Sequence, residues 1–321
     1  NGVRDCADYS DECPPEIFIN NALTSRTEMI KNPFFKTMVW IMALLAILGN
    51  SRVFVILCKS LWSNRKKAKS AQASSVSTVN KLLILNLSIA DFLMGISLLI
   101  IASKSAQYSG QYCLRDMNWR SSGTCNTVGV LSVISSEASV FTLVCITSYR
   151  LYSVYFPIQT RTLSRRVCGW WIVCIWTISF TIALIPLADS LSRTMVNAVC
   201  IPRYFKLNTD DTSLSPLSPV VVLFNFIALI YICAAYIAIY QRSSASSEST
   251  EQRQNEQRQI AAKKMQRKIS ILILTDLTCW LPVCLMTFIS LGRFGLPDEV
   301  YAASAIIFLP INSSLNPLIY T

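Results

Sequence analysis

The chain has 321 residues, 52% of them hydrophobic and 15% charged; a globular domain averages about 25% charged residues, so this composition excludes an ordinary soluble domain and points to membrane spans. The formal net charge is +11, yet the positive charge is sorted by loop: sixteen Lys and Arg follow the first, third and fifth apolar runs and seven follow the second, fourth and sixth. That asymmetry is the positive-inside pattern of a chain whose N-terminus is outside, so it reports topology and gives nucleic acid no part.

Seven apolar runs reach the roughly 20 residues that cross a bilayer: 35–58, 82–101, 128–155, 167–188, 220–240, 269–291 and 300–321. A closed barrel would need runs of about ten residues alternating apolar and polar, and none occur. The expected fold class is an all-α membrane protein, a seven-transmembrane helix bundle over residues 35–321. An extracellular linker, 14–34, and a small N-terminal disulfide and calcium module fragment, 1–13, precede it. There is neither an initiator Met nor a signal peptide, and the sequence stops with its last span, so it reads as a piece of a longer protein.

Residues 1–13, NGVRDCADYSDEC, put Asp5, Asp8, Asp11 and Glu12 into one short segment. Hard oxygen ligands at that density suit Ca²⁺, or form a solvated acidic tail. The stretch resembles the C-terminal half of a low-density-lipoprotein receptor class A module, shortened by two residues before its last Cys. The resemblance implies that Asn1, Asp5, Asp11 and Glu12 ligate calcium together with the Val3 carbonyl, and it pairs Cys6 and Cys13 with cysteines further upstream. The half-module alone is then expected to hold calcium poorly or not at all. Five cysteines fall outside (Cys6, Cys13, Cys113, Cys125 and Cys200), an odd number, so at least one lacks a partner within the chain. Cys113 is a candidate tether for the N-terminal module.

The first run contains Gly49 and Asn50, followed by Arg52, which is expected to snorkel to the interface. The second carries Asp91 at its middle, where an isolated charge costs about 2.5 to 3.5 kcal/mol, so Asp91 needs a partner or a cation. In the third, Ser132, Ser135, Ser139 and Thr142 repeat every three or four residues along one face, with Glu137 nearby; they can face Asp91 or bond their own backbone. Arg150 ends that run at the cytoplasmic edge, and Trp176 lies in the fourth. The sixth places Asp276 and Trp280 four residues apart, with Pro282 building in a kink. The seventh sets Asn312, Asn316 and Tyr320 at i, i+4, i+8, a polar stripe interrupted by Pro317, which frees a carbonyl and makes a hinge.

Taken in order, Gly49-Asn50, Asn86 with Leu87-x-x-x-Asp91, Cys125 lying 25 residues before Arg150, Trp176, Cys279-Trp280-Leu281-Pro282 and Asn316-Pro317-Leu318-Ile319-Tyr320 resemble a class A, rhodopsin-like G-protein-coupled receptor over nearly all of 35–321. Within that class, NLSIADFLMG, the turn 109–112, the segment 119–125, Ser136-Glu137 with Ser139-Val140, Thr275-Asp276 and residues 309–313 are similar to the leucine-rich-repeat-containing receptors for relaxin-like peptides and glycoprotein hormones. The resemblance implies a Cys125–Cys200 disulfide, a resting-state Na⁺ surrounded by Asp91, Ser139, Asn312 and Asn316, and an Asp276 that holds Asn312 or Asn316 until activation. Arg150, Trp280, Pro282, Pro317 and Tyr320 then carry the activation motifs. It further implies a plasma-membrane receptor that takes an extracellular peptide or protein hormone-like signal to heterotrimeric G proteins and arrestin, with no cofactor in the bundle beyond that Na⁺.

Two positions depart from the pattern. The triplet is Tyr149-Arg150-Leu151 where relatives carry an acid before the arginine, and Ala262 stands where many carry the acid that locks it, so raised basal signalling is expected. A retinal opsin needs a lysine in its last span, and 300–321 has none. An ion pump could use Asp91, Glu137 and Asp276 but has no reason to reproduce the cysteine-to-arginine spacing. The alternative that shares most features is a non-signalling endocytic or scavenger seven-helix receptor. An enzyme is not expected, since the chain has no histidine and no Ser/Lys or metal-ligand cluster in a polar cleft.

Overall fold

The computed structural model describes residues 13, 23–67, 75–156, 165–188, 198–200, 217–245, 256–291 and 304–320. The expected calcium set, Asn1, Asp5, Asp11 and Glu12, lies outside the described residues. Hydrocarbon offers no partner to backbone polar groups, so each apolar run satisfies its own as a helix. In chain order these are α1 (Pro33–Lys67), α2 (Ser75–Gln107), the short α3 (Tyr112–Arg120), α4 (Gly123–Tyr155), α5 (Arg165–Ala188), α6 (Leu217–Ala245) and α7 (Glu256–Leu291). A π-helical turn, Ser304–Phe308, then leads into α8 (Leu309–Tyr320). Five of them are long and apolar enough to cross a membrane, and the shorter apolar stretches Leu274–Met286 and Ile306–Ile319 lie in α7 and at the last helix.

Several helices overrun the apolar runs: α1 continues past Cys58 to Lys67, α2 extends to Gln107 and α6 to Ala245. Hydropathy marks where lipid ends, whereas Lys, Arg, Gln and Ser continue a helix into water at little cost. Burial is inverted relative to a soluble protein. Asn50, Asn86, Asp91, Ser135, Glu137, Asp276 and Asn316 are inside, while Leu48, Trp170, Leu274 and Leu318 are more than 60% exposed and face outward, as lipid contact requires.

α4 packs against α2, α5 and α6, and α8 packs against α1, α2 and α7, so the two polar-striped helices of the sequence sit on the inner side of the bundle. At the end that carries the disulfides, Met29, Ile30, Val39, Tyr112, Trp119, Val199 and Cys200 form one core. Residues 23–32, read in the sequence as a polar link, are therefore a strap: Met29 and Ile30 are fully buried, Lys31 N donates to Leu23 O at 2.8 Å, and Gly110 N donates to Thr27 O at 2.7 Å. Gly110 turns the chain there at φ 85°, a conformation that suits glycine.

The same end overturns one pairing. Cys13 is bonded to Cys113, with Cα atoms 5.0 Å apart, and not to a cysteine upstream as the module resemblance implied. The strap lies against α3 here, where Cys113 N donates to Arg26 O at 2.9 Å.

Candidate functional site

Asp91 is completely buried in α2. Ser139 Oγ of α4 and Ser313 Oγ of α8 donate to its Oδ1 at 3.0 and 2.9 Å, and Asn316 Nδ2 of α8 donates to its Oδ2 at 2.7 Å. Three donors from two other helices offset the desolvation of the carboxylate, and thereby tie α2, α4 and α8 at one point. The second buried acid, Asp276 of α7, accepts from Asn312 Nδ2 at 2.9 Å, and Thr275 Oγ1 lies 3.4 Å from Asn312 Oδ1. Asn312 thus bonds Asp276, and Ser313 is the α8 hydroxyl at Asp91. The two acids use successive residues of α8, which point about 100° apart around the helix.

The oxygens at Asp91 fit a small hard cation: its carboxylate, Ser139 Oγ, Ser313 Oγ, and Asn316 Oδ1, which is buried and without a hydrogen-bond partner among the described residues. Asn50 and Gly49 explain how α1 supports this point. Pro317 has no N–H, so the Ser313 carbonyl four residues back lacks its helical donor. Asn50 Nδ2 supplies one at 3.0 Å, shared with Ala46 O at 2.8 Å. That reach needs close approach, and a Cβ on Gly49 would stand 2.6 Å from Pro317 Cβ.

The hydroxyl stripe of α4 divides its work. Ser139 meets Asp91, Ser135 Oγ donates to Ala90 O at 2.7 Å, and Thr142 Oγ1 accepts from Asn86 Nδ2 at 2.7 Å while donating to Ala138 O at 2.6 Å. Asn86 Oδ1 in turn accepts from Trp176 Nε1 at 2.8 Å, which draws α5 to the same seam. Ser132 instead lines a cavity of about 80 Å³, with Ser136, Glu137, Val199, Trp280 and Leu309 also in its wall. Glu137 Oε1 accepts from Asn225 Nδ2 of α6 at 2.9 Å. Trp280 lies beneath the cavity, packed with Val140, Val283 and Cys284, and Pro282 follows it inside α7. Cys125 sits on the first turn of α4, where its N–H is capped by Ser122 Oγ at 3.1 Å, and is bonded to Cys200.

Toward the other end, Arg150 Nε and Nη2 are buried and have no hydrogen-bond partner among the described residues, while Tyr149 packs among Leu83, Leu143 and Cys168. Ser270 Oγ of α7 donates to Tyr236 Oη of α6 at 2.7 Å. The side chains of Ala262 and Tyr320 lie outside the described ones. Two members of the network, Ser313 and Asn225, were not singled out from sequence. Asn225 had a usable signal, a lone amide within the apolar run VVVLFNFIALI.

The pattern of the 7 transmembrane receptor (rhodopsin family) matches residues 68–320. The chain is similar to the G-protein coupled receptor GRL101 of Lymnaea stagnalis, 30% identical over 97% of this chain and 26% of that protein. It is 32% identical to the lutropin-choriogonadotropic hormone receptor of Callithrix jacchus, over 96% of this chain and 42% of that one. Against relaxin receptor 2 of Homo sapiens it is 28% identical over 94% and 39% respectively. The chain therefore spans less than half the length of these curated relatives. Matched over most of its length, the chain belongs to the rhodopsin family of seven-transmembrane receptors.

Proposed function

We propose that this chain is the transducing bundle of a plasma-membrane receptor that passes an extracellular, peptide or protein hormone-like signal to heterotrimeric G proteins, with its disulfide end outside and the Arg150 end facing the cytoplasm. The observation that carries the reading is the pair of acids sharing α8: Asp91 fixes α8 to α2 and α4 through Ser139, Ser313 and Asn316, and Asp276 fixes α7 to α8 through Asn312. A network with two such joints beside two proline kinks has discrete alternatives, since releasing Asn312 frees α7 to move without disturbing the Asp91 joint. Ligand contacts at the cavity above Trp280 bias that choice, and movement of the far half of α7 opens the surface around Arg150 to the G protein and afterwards to arrestin. Asp91, Ser139, Ser313 and Asn316 are the residues that would hold a Na⁺ ion, whose charge would offset that of the buried carboxylate.

The test is guanine-nucleotide exchange on a heterotrimeric G protein by the chain in lipid nanodiscs. Asp276→Leu removes Asn312's acceptor and is expected to raise basal exchange several-fold. Replacing Na⁺ by a bulky organic cation raises it in the wild type but not in Asp91→Asn. Correctly folded wild type and Asp276→Leu that both leave exchange at the rate of empty nanodiscs would overturn the reading in favour of a non-signalling receptor.

A further inference from the structure

α3 is amphipathic, and one of its faces is uncovered among the described residues. Tyr112, Asp116 and Trp119 are buried, while Leu114, Arg115, Met117 and Asn118 are exposed, Met117 by 54%. The buried side is fixed. Tyr112 Oη donates to Asp116 Oδ1 at 2.6 Å, Arg120 Nη2 pairs with Asp116 Oδ2, and Trp119 Nε1 donates to Ala198 O at 2.7 Å. Burial, reinforced by the Asp116 charge, pushes the Tyr112 hydroxyl far above its ordinary range, so it remains a proton donor at any physiological pH.

Cys113, the second residue of α3, is bonded to Cys13. The twelve residues before Cys13 carry Asp5, Asp8, Asp11 and Glu12 against a single Arg4. Glu12 and Asp11 are one and two residues from the disulfide, and a chain reaches at most about 3.3 to 3.6 Å per residue, so both backbones stay within about 8 Å of Cys13. Arg115 lies two residues beyond Cys113, on the exposed side. A tethered acidic segment is thus held at high effective concentration over a surface with a cation and two large apolar side chains.

We propose that the exposed face of α3 is the docking platform for this chain's own acidic N-terminal segment, residues 1–12, held by the Cys13–Cys113 disulfide and by attraction to Arg115. The platform is joined to the cavity: Trp119 holds Ala198, and the next residue, Val199, is part of the cavity wall. What the N-terminal segment binds or loses therefore acts on α3, whose Trp119 contact lies one residue from the proposed ligand site. The inference takes the disulfide end as extracellular, as proposed above, but its test reads docking and not signalling, so either can fail alone.

Hydroxyl-radical footprinting of the chain in nanodiscs, without reductant, reads Met117 oxidation directly. Deleting residues 1–12, or making Arg115→Glu, is expected to speed Met117 oxidation several-fold, with buried Met29 protected in all three proteins as the control for folding. Equal Met117 rates in the intact and shortened chains overturn the proposal, whether the face is open in both or covered in both by lipid or a second copy. A protease site placed between residues 16 and 22 tests the tether: after cleavage the N-terminal piece is expected to stay attached until reductant is added. Its release without reductant overturns the proposal as well.

Discussion

Asn86 holds two neighbours at once, donating to Thr142 and accepting from Trp176. Asn86→Leu fits the volume but strands the Trp176 N–H and leaves Thr142 only its bond to Ala138 O, in a place with little water, so it is expected to lower stability by about 1 to 2 kcal/mol in thermal unfolding of the solubilised chain. Ser103→Ala is the control, because Ser103 Oγ is exposed and returns only to Leu99 O of its own helix; a change within about 0.5 kcal/mol is expected. A pH effect is written at Glu28, outside the membrane. Burial raises its carboxyl, but hydrogen bonds from Lys36 at 2.9 Å and Ser109 at 2.5 Å, with the Lys36 charge, outweigh that and hold it below the ordinary range. The folded value being the lower one, Glu28 supports the strap fully above the unfolded value of about 4.3 and loses that support as pH falls through its folded value. Hydrogen exchange at the Gly110 and Cys113 amides, which bond the strap, is expected to quicken over that acid window in wild type and to lose that dependence in Glu28→Gln. Asp91, Asp276, Asn312 and Asn316 were legible because acids and amides in hydrocarbon demand partners. Ser313 was not, since a serine can satisfy itself on its own helix, and only the fold shows its hydroxyl donating to Asp91 on another.

At the scale of helices, the sequence showed the long apolar ones and which two carry an internal proline, but not which surfaces meet. Gly49, Asn50 and Pro317 looked like three separate features. In the fold they form a single contact, with glycine admitting the proline ring and the amide filling the hydrogen bond that the proline vacates. Gly49→Ala forces α1 away from α8 and stretches the Asn50 bond as well, so a drop of several degrees in Tm is expected, accompanied by weaker α8 anchoring. Gly169→Ala in α5 meets nothing within 4 Å and removes backbone freedom from the unfolded state, so it is expected to be neutral or to stabilise by up to about 1 kcal/mol. If both substitutions shift Tm alike, the close approach is not what holds α1. The helix that sequence reading missed, α3, has nine residues and is too polar for a hydropathy signal. Tyr112, Asp116 and Trp119 do repeat with helical spacing, but a window this short cannot be separated from a turn by periodicity.

Across the whole molecule, the two ends differ in how firmly they are tied. The disulfide end has two covalent bridges and a buried strap. At the other end Arg150 keeps two buried N–H groups without partners among the described residues, and the bond between Ser270 and Tyr236 is the polar link described there between α6 and α7. The two positions at which the resemblance led to an expectation of acids hold Tyr149 and Ala262, which the sequence alone made visible; that a hydroxyl pair joins the neighbouring helices is seen only in the fold. If this pair restrains α7, Ser270→Ala and Tyr236→Phe should each raise basal nucleotide exchange, and the double variant should raise it no further than the larger single effect, because the second substitution removes a bond already broken. Both are small deletions, so thermal unfolding should fall by only about 0.5 to 1 kcal/mol, and a large rise in exchange at nearly unchanged stability identifies a shift between two folded states. Additive effects on exchange would show that the hydroxyls act separately, and the restraint on α7 would then have to be sought in packing alone.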